Sequence, residues 1–393
     1  DKLYTFSLDR ATGRIKWRRD VPRPRNQELH KSNSPASPSP VSDARNVYVF
    51  FTGFGLISFG PDGNERWRLP LGPFNNPFGM GASPVLAGNT LLMICDSETG
   101  SFFMAAGKDT GKQRWRVERP EFTRGFSTPL LYKPERGALQ AIIAGSSELT
   151  AYEVETGNRV WWTRGLTWQL KPTPVMNHDT IFVMCRAGGA GEGQREKIIG
   201  FSEALKIMDA NHDGKLQKEE ITHKKLAAGW GEADLDKDGA INERDWRMYQ
   251  GRRSVVNAIT AFRLGGSGDI TETGVKWRCH KSLPNVPSPL LYKNVLYMMK
   301  EGGILTALDP ANGNVLRQAR VQGALGMYFA SPVAAHDKIY VLSEEGKLAV
   351  IKPGPEWAVL AVNDLDDGAH ATSAIADSRL YVRTHSAILF RQS

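Results

Sequence analysis

A tryptophan at the end of a strand-like segment recurs along this chain at nearly even intervals. Each copy follows a turn, usually with a glycine, and in order the markers are Trp17, Trp67, Trp115, Trp161, Trp277, Arg317 (where arginine replaces tryptophan) and Trp357. A second marker, serine or threonine followed by proline and an apolar residue, alternates with the first and begins at Ser39, Ser83, Thr128, Thr173, Ser288 and Ser331, with a decayed copy at Ser373. The two markers divide the chain into units of about 40 to 50 residues.

Each unit is typical of four short strands, which we call A, B, C and D in chain order. Four antiparallel strands at this period indicate a β-propeller blade, because one small sheet buries its two faces only by stacking on its neighbours. The sequence contains seven A, seven B, eight C and seven D strands. We therefore expect an all-β, eight-bladed β-propeller whose first A and B strands and last D strand would lie before Asp1. The alternative is seven blades with a redundant final C strand.

Hydrophobic residues make up 41% and charged residues 23% of the chain, which is typical of a folded protein with a buried core. No apolar run reaches the roughly 18 residues of a transmembrane helix, so we expect no transmembrane segment. The formal charge is +8, but many basic residues flank tryptophans, as in Lys16-Trp17-Arg18. Charges on an outer strand discourage association between sheets, so we predict edge strands here and no nucleic-acid partner. The three cysteines form no metal or redox motif, and we expect them to be buried and free.

The interval between Trp161 and Trp277 exceeds the others by about seventy residues. The excess predicts an insertion at residues 186–256, between a first propeller part at 1–185 and a second at 257–393. Its left edge, Gly188–Gly193, is predicted to be a flexible linker. Two segments inside it match the calcium-loop pattern D-x-[DN]-x-[DN]-G-x5-E, which predicts a small α-helical EF-hand pair.

Calcium prefers six to eight oxygen ligands, and each segment supplies them at the required positions. In the first loop we predict ligation by Asp209, Asn211, Asp213, the backbone carbonyl of Lys215, Gln217 through water, and both oxygens of Glu220. In the second loop the corresponding residues are Asp234, Asp236, Asp238, Ala240, Asn242 and Asp245. Asp245 is one methylene shorter than the usual glutamate, so we expect two Ca²⁺ sites, of which the second binds more weakly. Phe201–Met208 and Glu219–Ala227 are predicted to be the helices that enter and leave the first loop.

The pattern of Leu8, Asp9, Thr12, Gly13 and Trp17 resembles the tryptophan-docking repeat of pyrroloquinoline-quinone (PQQ)-type propellers. That group includes bacterial quinoprotein alcohol dehydrogenases and the eight-bladed lipoprotein of the outer-membrane assembly machine, and residues 288–292 and 330–333 look closer to bacterial secreted quinone-binding-like repeat proteins. For the dehydrogenases the resemblance implies an axial quinone, a calcium ion, a catalytic aspartate and often a disulfide between adjacent cysteines. This chain has no adjacent cysteines, and its blade strands show no matching calcium set, so we do not expect PQQ as a cofactor.

Loops that join a D strand to the next A strand surround one mouth of a propeller channel, and loops on a rigid scaffold often carry function. Here they span 23–37, 74–81, 121–126, 167–171, 281–287 and 326–329. Their aromatic and polar side chains are His30, Asn33, Asn75, Phe78, Arg124, Trp168, Asn285 and Tyr328.

We therefore expect a non-catalytic, calcium-binding interaction or scaffold module that contacts a protein or extracellular ligand through these loops. The resemblance implies an exported protein, periplasmic or extracellular, and we expect a monomer. The alternative is a PQQ-dependent alcohol dehydrogenase. A third hypothesis, a glycan-binding or glycan-cleaving propeller, lacks the closely spaced acidic pair that would support it.

Overall fold

The computed structural model describes residues 2–25, 29–30, 33–186 and 198–392. The predicted linker at Gly188–Gly193 lies outside the described residues. The chain forms two compact units, the first of Asp1–Leu170 and Gly189–Val256, and the second of Lys171–Gly188 and Asn257–Ser393.

The first unit combines β-sheets with a small helical insertion. Its strands outside the insertion are β1 (Leu3–Leu8), β2 (Ile15–Val21), β3 (Val41–Ser42), β4 (Val47–Phe51), β5 (Gly55–Phe59), β6 (Glu65–Pro70), β7 (Val85–Ala87), β8 (Thr90–Cys95), β9 (Phe102–Gly107), β10 (Gln113–Glu118), β11 (Leu130–Tyr132), β12 (Gln140–Gly145), β13 (Glu148–Glu153) and β14 (Arg159–Arg164).

The second unit is built from strands. They are β15 (Val175–Asn177), β16 (Thr180–Cys185), β19 (Ala258–Arg263), β20 (Gly268–Asp269), β21 (Val275–Cys279), β22 (Leu290–Tyr292), β23 (Val295–Lys300), β24 (Ile304–Leu308), β25 (Val315–Arg320), β26 (Val333–Ala335), β27 (Lys338–Leu342), β28 (Lys347–Lys352), β29 (Ala358–Asp364), β30 (Ala374–Ala376), β31 (Arg379–Arg383) and β32 (Ile388–Gln392).

The insertion, which belongs to the first unit, contributes the remaining elements. They are α1 (Phe201–Met208), β17 (Leu216–Gln217), a 3-10 helix (Lys218–Glu220), α2 (Lys224–Ala228), α3 (Trp230–Ala233), β18 (Ala240–Ile241) and α4 (Glu243–Ser254). It interrupts the chain between β16 and β19, which pair antiparallel as the B and C strands of one sheet. The insertion thus lies between a B strand and a C strand.

The fold is an all-β propeller, and the predicted numbers of A, B, C and D strands are found among the described residues. The prediction of eight blades is wrong, and the alternative number of seven fits, although the final C strand, β32, belongs to the seventh blade and is not redundant. Six sheets contain all four strand types, and β30–β32 form a seventh blade of three strands. The remaining strands, β1 and β2, form a hairpin with no A or B strand beside it in the described chain. A lone hairpin buries too little surface to make a blade.

The marker tryptophans pack blade against blade, as predicted. The indole of Trp67 on β6 lies against Gly111, in the turn after β9, and its Nε1 donates a hydrogen bond to the carbonyl of Lys108 at 2.7 Å. Gly111 has φ +67°, and a Cβ atom there would lie 2.6 Å from the indole. Trp17, Trp115 and Trp277 make the same contact with Gly63, Gly157 and Gly313. Glycine is therefore required by both the turn and the tryptophan.

One degenerate marker, Arg317, lies at the predicted position, and another needs correction. By strand register, the position of Trp277 is held by Arg317 in β25 and by Ala361 in β29. Trp357 precedes β29, so its assignment as a D-strand marker is wrong. The guanidinium of Arg317 instead lies 5.1 Å from the centroid of the Trp357 ring. A cation–π contact thus takes the place of the tryptophan–glycine contact.

The second marker links the A strands of successive blades through its hydroxyl group. In the first unit, Ser39 N donates to Ser83 Oγ at 2.9 Å, and Ser83 N donates to Thr128 Oγ1 at 3.1 Å. In the second unit the same chain of bonds runs Thr173, Ser288, Ser331, Thr372. The acceptor in the last blade is Thr372, not the Ser373 that we took for the decayed copy.

Two smaller predictions are also confirmed. Cys95, Cys185 and Cys279 are buried, and none of them is in a disulfide bond. The strands that carry basic residues beside tryptophan, such as β2 and β6, lie at the outer ends of their sheets, where Lys16 and Arg66 are exposed. The structure describes no helix that is both long enough and apolar enough to cross a membrane.

Candidate metal centre and the cleft beside it

The insertion contains two loops of the same form, the first loop at Asp209–Glu220 and the second loop at Asp234–Asp245. They are joined by the β17–β18 bridge, in which Leu216 pairs with Ile241. Both side chains are fully buried in a core that includes Leu226 and Trp246. This core holds the two loops side by side, as expected for an EF-hand pair.

The backbones of the two loops follow one hydrogen-bonding pattern. The amide of Gly214 donates to Asp209 Oδ2 at 3.0 Å, and the amide of Gly239 donates to Asp234 Oδ2 at 3.1 Å. Both glycines have positive φ, 80° and 88°, as a sharp turn at position six requires. The amide at position seven donates to the aspartate at position five in each loop, at 2.8 and 2.9 Å. Each loop thus folds around its acidic side chains.

The second loop brings several carboxylates close together, and some of their oxygens accept no hydrogen bond. Ligand oxygens of Asp234, Asp236 and Asp238 lie within 4.8 Å of one another. Asp245 is fully buried, and one oxygen of Asp245 and one of Asp234 have no hydrogen-bond donor among the described residues. Burial raises the pKa of Asp245 to about 6, and the charge of Asp236 adds to the shift. Buried carboxylate oxygens that accept no hydrogen bond are costly, and a divalent cation would satisfy them.

In the first loop the predicted ligands also lie close together, but they form more hydrogen bonds with one another and with the backbone than those of the second loop do. Gln217 Nε2 donates to Asp213 Oδ2 at 2.7 Å, and Asn211 Nδ2 donates to Gln217 Oε1 at 3.0 Å. Glu220 accepts bonds from the amides of Ala210 and Gln217 through its two oxygens. The Nζ atom of Lys215 lies 3.3 Å from Asp238 Oδ2 and so connects the two loops.

These side chains offer the hard oxygen donors that Ca²⁺ prefers, so the residues present fit the ion. Bound calcium would supply positive charge and cross-link the loop. The twelve ligand roles stay predictions.

The helices around the loops agree with the sequence in part. The entering helix α1 spans Phe201–Met208, as predicted. The exiting helix was predicted at Glu219–Ala227, but the chain forms a 3-10 turn at Lys218–Glu220 and then α2 at Lys224–Ala228. The β-branched residues Ile221 and Thr222 lie between them in extended or irregular backbone, where their stiff side chains cost less than inside a helix.

Arg244, at the start of α4, fastens the insertion to the blade loops of the first unit. Its Nε donates to the carbonyl of Pro120 at 2.6 Å, and its Nη2 donates to the carbonyls of Glu98 and Phe122 at 2.6 and 3.2 Å. Arg244 immediately precedes Asp245, the last predicted ligand of the second loop. The side chain of Arg244 therefore connects the second loop directly to the blade loops.

A buried ion pair supports the loop that receives Arg244. Arg119 and Asp96 are both buried and form two hydrogen bonds, at 2.8 and 2.9 Å. Arg119 also donates to the hydroxyl of Tyr152, and its guanidinium lies 3.5 Å from the ring centroid of Phe122. Because each charge is paired and hydrogen-bonded, the pair fixes the backbone that leads to Phe122.

A cleft of about 700 Å³ lies between the second loop and the blade loops. The blade side supplies Phe74, Phe78, Glu98 and Arg124 to its lining, and the insertion supplies residues 231, 232, 235 and 237. Glu98 forms an ion pair with Arg124, in which Oε1 and Nη1 are 2.8 Å apart. The other oxygen of Glu98 has no hydrogen-bond donor among the described residues. Burial raises the pKa of Glu98 and lowers the pKa of Arg124. Aromatic walls beside a few polar groups are typical of a binding site.

The loop residues predicted for recognition divide into accessible and buried ones. Phe78 and Arg124 line the cleft, as do Asn75 and His30. Trp168 is buried between two guanidinium groups, with Arg124 4.5 Å and Arg252 4.0 Å from its ring. Tyr328 is buried, and its hydroxyl donates to the carbonyl of Ala324. Asn285 accepts a hydrogen bond from Lys171, and Asn33 is exposed. Part of the 23–37 loop, at 26–28 and 31–32, lies outside the described residues.

Sequence reasoning missed Arg244, Arg252 and Glu98. Arg244 bonds to carbonyl groups more than one hundred residues away, and such contacts leave no local pattern. Glu98 lies in the turn after β8, where a carboxylate ordinarily faces water. The only hint of this docking in the sequence was that Arg244 is adjacent to Asp245, a predicted ligand.

Comparison with known proteins supports the fold and the insertion. A family model described as outer membrane protein assembly factor BamB matches residues 53–192 and 250–393. A second model, described as EF hand, matches residues 202–223, which include the first loop through position twelve. A sequence search of the curated proteins finds no match.

Many solved structures resemble the chain, and two of them are described here. The crystal structure of BamB from Moraxella catarrhalis has a TM-score of 0.59 and 12% sequence identity, and the match covers 96% of this chain and 88% of that one. The computationally designed Ika8 protein has a TM-score of 0.55 and 9% identity, and the match covers 93% of this chain and 87% of that one. At these identities the likeness shows the fold alone.

Proposed function

The chain belongs to the family described as outer membrane protein assembly factor BamB, and on that premise we propose that it is a non-catalytic interaction module whose insertion binds calcium next to a partner-binding surface. The partner is a protein or an extracellular ligand held at the blade loops of the first unit. The family description, which names an assembly factor, supports a protein partner and a periplasmic or extracellular location.

The observation that carries this proposal is the attachment of Arg244 to three loop carbonyls. Through it, the predicted ion at Asp234–Asp245 is connected to the loops of the same compact unit that carry Phe78, Glu98 and Arg124 of the cleft. Around an exported protein the calcium concentration is nearly constant, so the site would stay occupied and the ion would stabilise this surface permanently. A ligand that binds only the folded state also stabilises it by mass action.

Calorimetric titration with Ca²⁺ tests the metal part of the proposal. We expect two binding events, the stronger at the first loop and the weaker at the second, because Asp245 reaches an ion less easily than Glu220 does. Asp209→Ala combined with Glu220→Ala should remove the stronger event. Glu135→Ala, an exposed carboxylate outside the insertion, is the control and should leave both events unchanged. Calcium binding that survives the double substitution would contradict the ligand assignment.

A second assay separates this function from the alternative of a PQQ-dependent alcohol dehydrogenase. The protein is incubated with PQQ, Ca²⁺, an alcohol and an artificial electron-accepting dye. We expect neither saturable quinone absorbance nor dye reduction. Saturable absorbance together with dye reduction would overturn the proposal of a non-catalytic module.

A further inference from the structure

Two histidines of the second unit lie against each other, away from the calcium loops. The ring centroids of His370 and His385 are 5.0 Å apart, and their planes are inclined by 71°. The ring of Phe329 also contacts His370, with centroids 5.0 Å apart. Both histidines are exposed. Imidazole is the commonest metal ligand in proteins, so two of them in contact at the surface are a candidate site for a transition-metal ion.

Main-chain hydrogen bonds hold together the loops that carry the two histidines. His370 lies in the loop between β29 and β30, and His385 lies in the turn between β31 and β32. The amide of His385 donates to the carbonyl of Gly368 at 2.8 Å. The amide of Ala369 donates to the carbonyl of Glu344, in the turn between β27 and β28, at 2.9 Å. Loops of two neighbouring blades therefore meet at these side chains.

Glu344 determines which nitrogen of His370 is available to a metal ion. The Nε2 atom of His370 donates a hydrogen bond to Glu344 Oε1 at 3.0 Å. An ionised carboxylate only accepts hydrogen bonds, so in the neutral ring Nε2 carries the hydrogen and Nδ1 keeps its lone pair. Metal-binding histidines typically donate their second ring nitrogen to a carboxylate in this way, which fixes the tautomer and makes the ligand nitrogen more basic. His370 is therefore prepared to bind an ion through Nδ1.

The loops around the two histidines are acidic, although the whole chain has a formal charge of +8. Loops 343–346, 365–370 and 384–387 contain four carboxylates and no lysine or arginine. The carboxylates are those of Glu344, Glu345, Asp366 and Asp367. None of the four forms an ion pair with a lysine or an arginine among the described residues. Uncompensated negative charge beside two imidazoles favours a cation as the ligand of this surface.

The spacing of the two rings fits a shared ion. Zn²⁺ binds an imidazole nitrogen at about 2.0–2.1 Å, so two imidazoles on one tetrahedral ion have ring centroids about 5 Å apart. The observed separation of 5.0 Å agrees with this value. Because both side chains are exposed, rotation about their χ angles can direct one nitrogen of each toward the ion. Asp367, which accepts a bond from the hydroxyl of Ser386 at 2.7 Å, supplies a carboxylate next to His385.

From the paired rings, the Glu344 carboxylate and the local charge we infer that His370 and His385 bind a divalent transition-metal ion that prefers nitrogen ligands, such as Zn²⁺. Glu344 is a positioning residue that orients His370. The ion joins the loops of the β26–β29 blade to those of the β30–β32 blade. Nitrogen ligands distinguish this site from the calcium loops, whose predicted ligands are all oxygen atoms. The site lies on the second unit, so the inference does not depend on the function proposed above.

Calorimetric titration of the whole protein with Zn²⁺ tests the site, with excess Ca²⁺ present to occupy the insertion. We expect one saturable event, which His370→Asn and His385→Asn each weaken about tenfold or more. His178→Asn changes an exposed histidine in the turn between β15 and β16 and is the matched control, which should bind Zn²⁺ as the wild type does. No binding of Zn²⁺, or an event that either of the first two variants retains in full, would overturn the inference.

Two further measurements separate metal coordination from folding. Since His370 and His385 are exposed, we expect the urea midpoint of each metal-free variant to equal that of the wild type. Co²⁺ in place of Zn²⁺ reports its ligands through visible absorption, and both histidine variants should lose the wild-type band. Glu344→Ala should weaken Zn²⁺ binding about tenfold but keep the band at saturating Co²⁺, because both imidazoles remain. Unchanged Zn²⁺ affinity in Glu344→Ala would refute the positioning role of Glu344.

Discussion

At the scale of single residues, the contact between Trp67 and Gly111 explains why the repeat contains both tryptophan and glycine. The indole covers the turn of the next blade, and its nitrogen donates to the carbonyl of Lys108. The turn needs a positive φ, and the close approach of the ring leaves no space for a side chain. Either requirement alone would favour glycine; the two together make the position intolerant of substitution.

A comparison of alanine substitutions at Gly111 and Gly88 separates the cost of a positive φ from the cost of the clash with Trp67. Gly111→Ala introduces both an unfavourable φ and a Cβ atom 2.6 Å from the indole, whereas Gly88, at φ +61°, has nothing within 4 Å of an added Cβ. We expect Gly88→Ala to lower the free energy of unfolding by about 1 kcal/mol, and Gly111→Ala by about 1–3 kcal/mol more. Urea denaturation measures both. Equal losses in the two variants would mean that the tryptophan contact carries no weight.

The Asp43–Lys108 ion pair predicts how stability depends on pH. Lys108 Nζ lies 2.7 Å from Asp43 Oδ2, and this hydrogen bond lowers the pKa of Asp43 to about 2 from 3.8. Because the pKa is lower in the folded state, the pair stabilises above about pH 4, and the contribution is lost as the pH falls through about 2.

We expect Asp43→Asn to lower the free energy of unfolding by about 1–2 kcal/mol at neutral pH, a value reduced for partial exposure to solvent. The difference between wild type and variant should shrink toward zero between about pH 4 and pH 2 in urea denaturation. A difference that stays constant over this range would show that the loss comes from packing and not from charge. Glu135→Gln, an exposed carboxylate, serves as the control.

At the scale of elements, the insertion shows which parts of a site a sequence predicts. The spacing of Asp209, Asp213 and Gly214 is a local pattern, and local backbone geometry follows from it, so both loops and α1 were predicted. The exit helix was misplaced because β-branched residues interrupt an otherwise helical segment. The docking through Arg244 was not predicted, because its acceptors are backbone carbonyl groups, which any sequence supplies.

Removal of the Arg244 side chain tests the coupling between the insertion and the blade loops. In the wild type we expect Ca²⁺ to slow hydrogen exchange in both loops of the insertion and at residues 119–124, since Arg244 joins the two. In Arg244→Ala, calcium should still protect the insertion, but the protection of residues 119–124 should disappear. Arg247→Ala, an exposed position on the same helix, is the matched control. Unchanged protection of residues 119–124 in Arg244→Ala would refute this coupling.

At the scale of the whole molecule, the sequence predicted the strands more accurately than their grouping. The alternation of markers gave the number of each strand type, because each marker reflects a local contact such as Trp67 with Gly111. The number of blades depends on which strands complete a sheet, and the extra C and D strands, β1 and β2, form a hairpin. Trp357 was assigned to a D strand for a related reason, since an aromatic residue in the turn resembles a strand marker when its register is unknown, but the number of D strands is unaffected.

The repetition of one blade contact predicts that stability is nearly a sum of local terms. Trp67 lies in the first unit and Trp277 in the second, and their buried clusters share no residue. We expect Trp67→Phe and Trp277→Phe to lower the free energy of unfolding by amounts that add within about 0.5 kcal/mol in the double variant. The contacting pair, Trp67→Phe with Gly111→Ala, should instead couple by about 1 kcal/mol, because the smaller ring relieves the clash with the new methyl group. Urea denaturation of the two double-mutant cycles measures both quantities. Strong coupling between Trp67 and Trp277 would show that the blades respond as one body and not as a series of neighbour contacts.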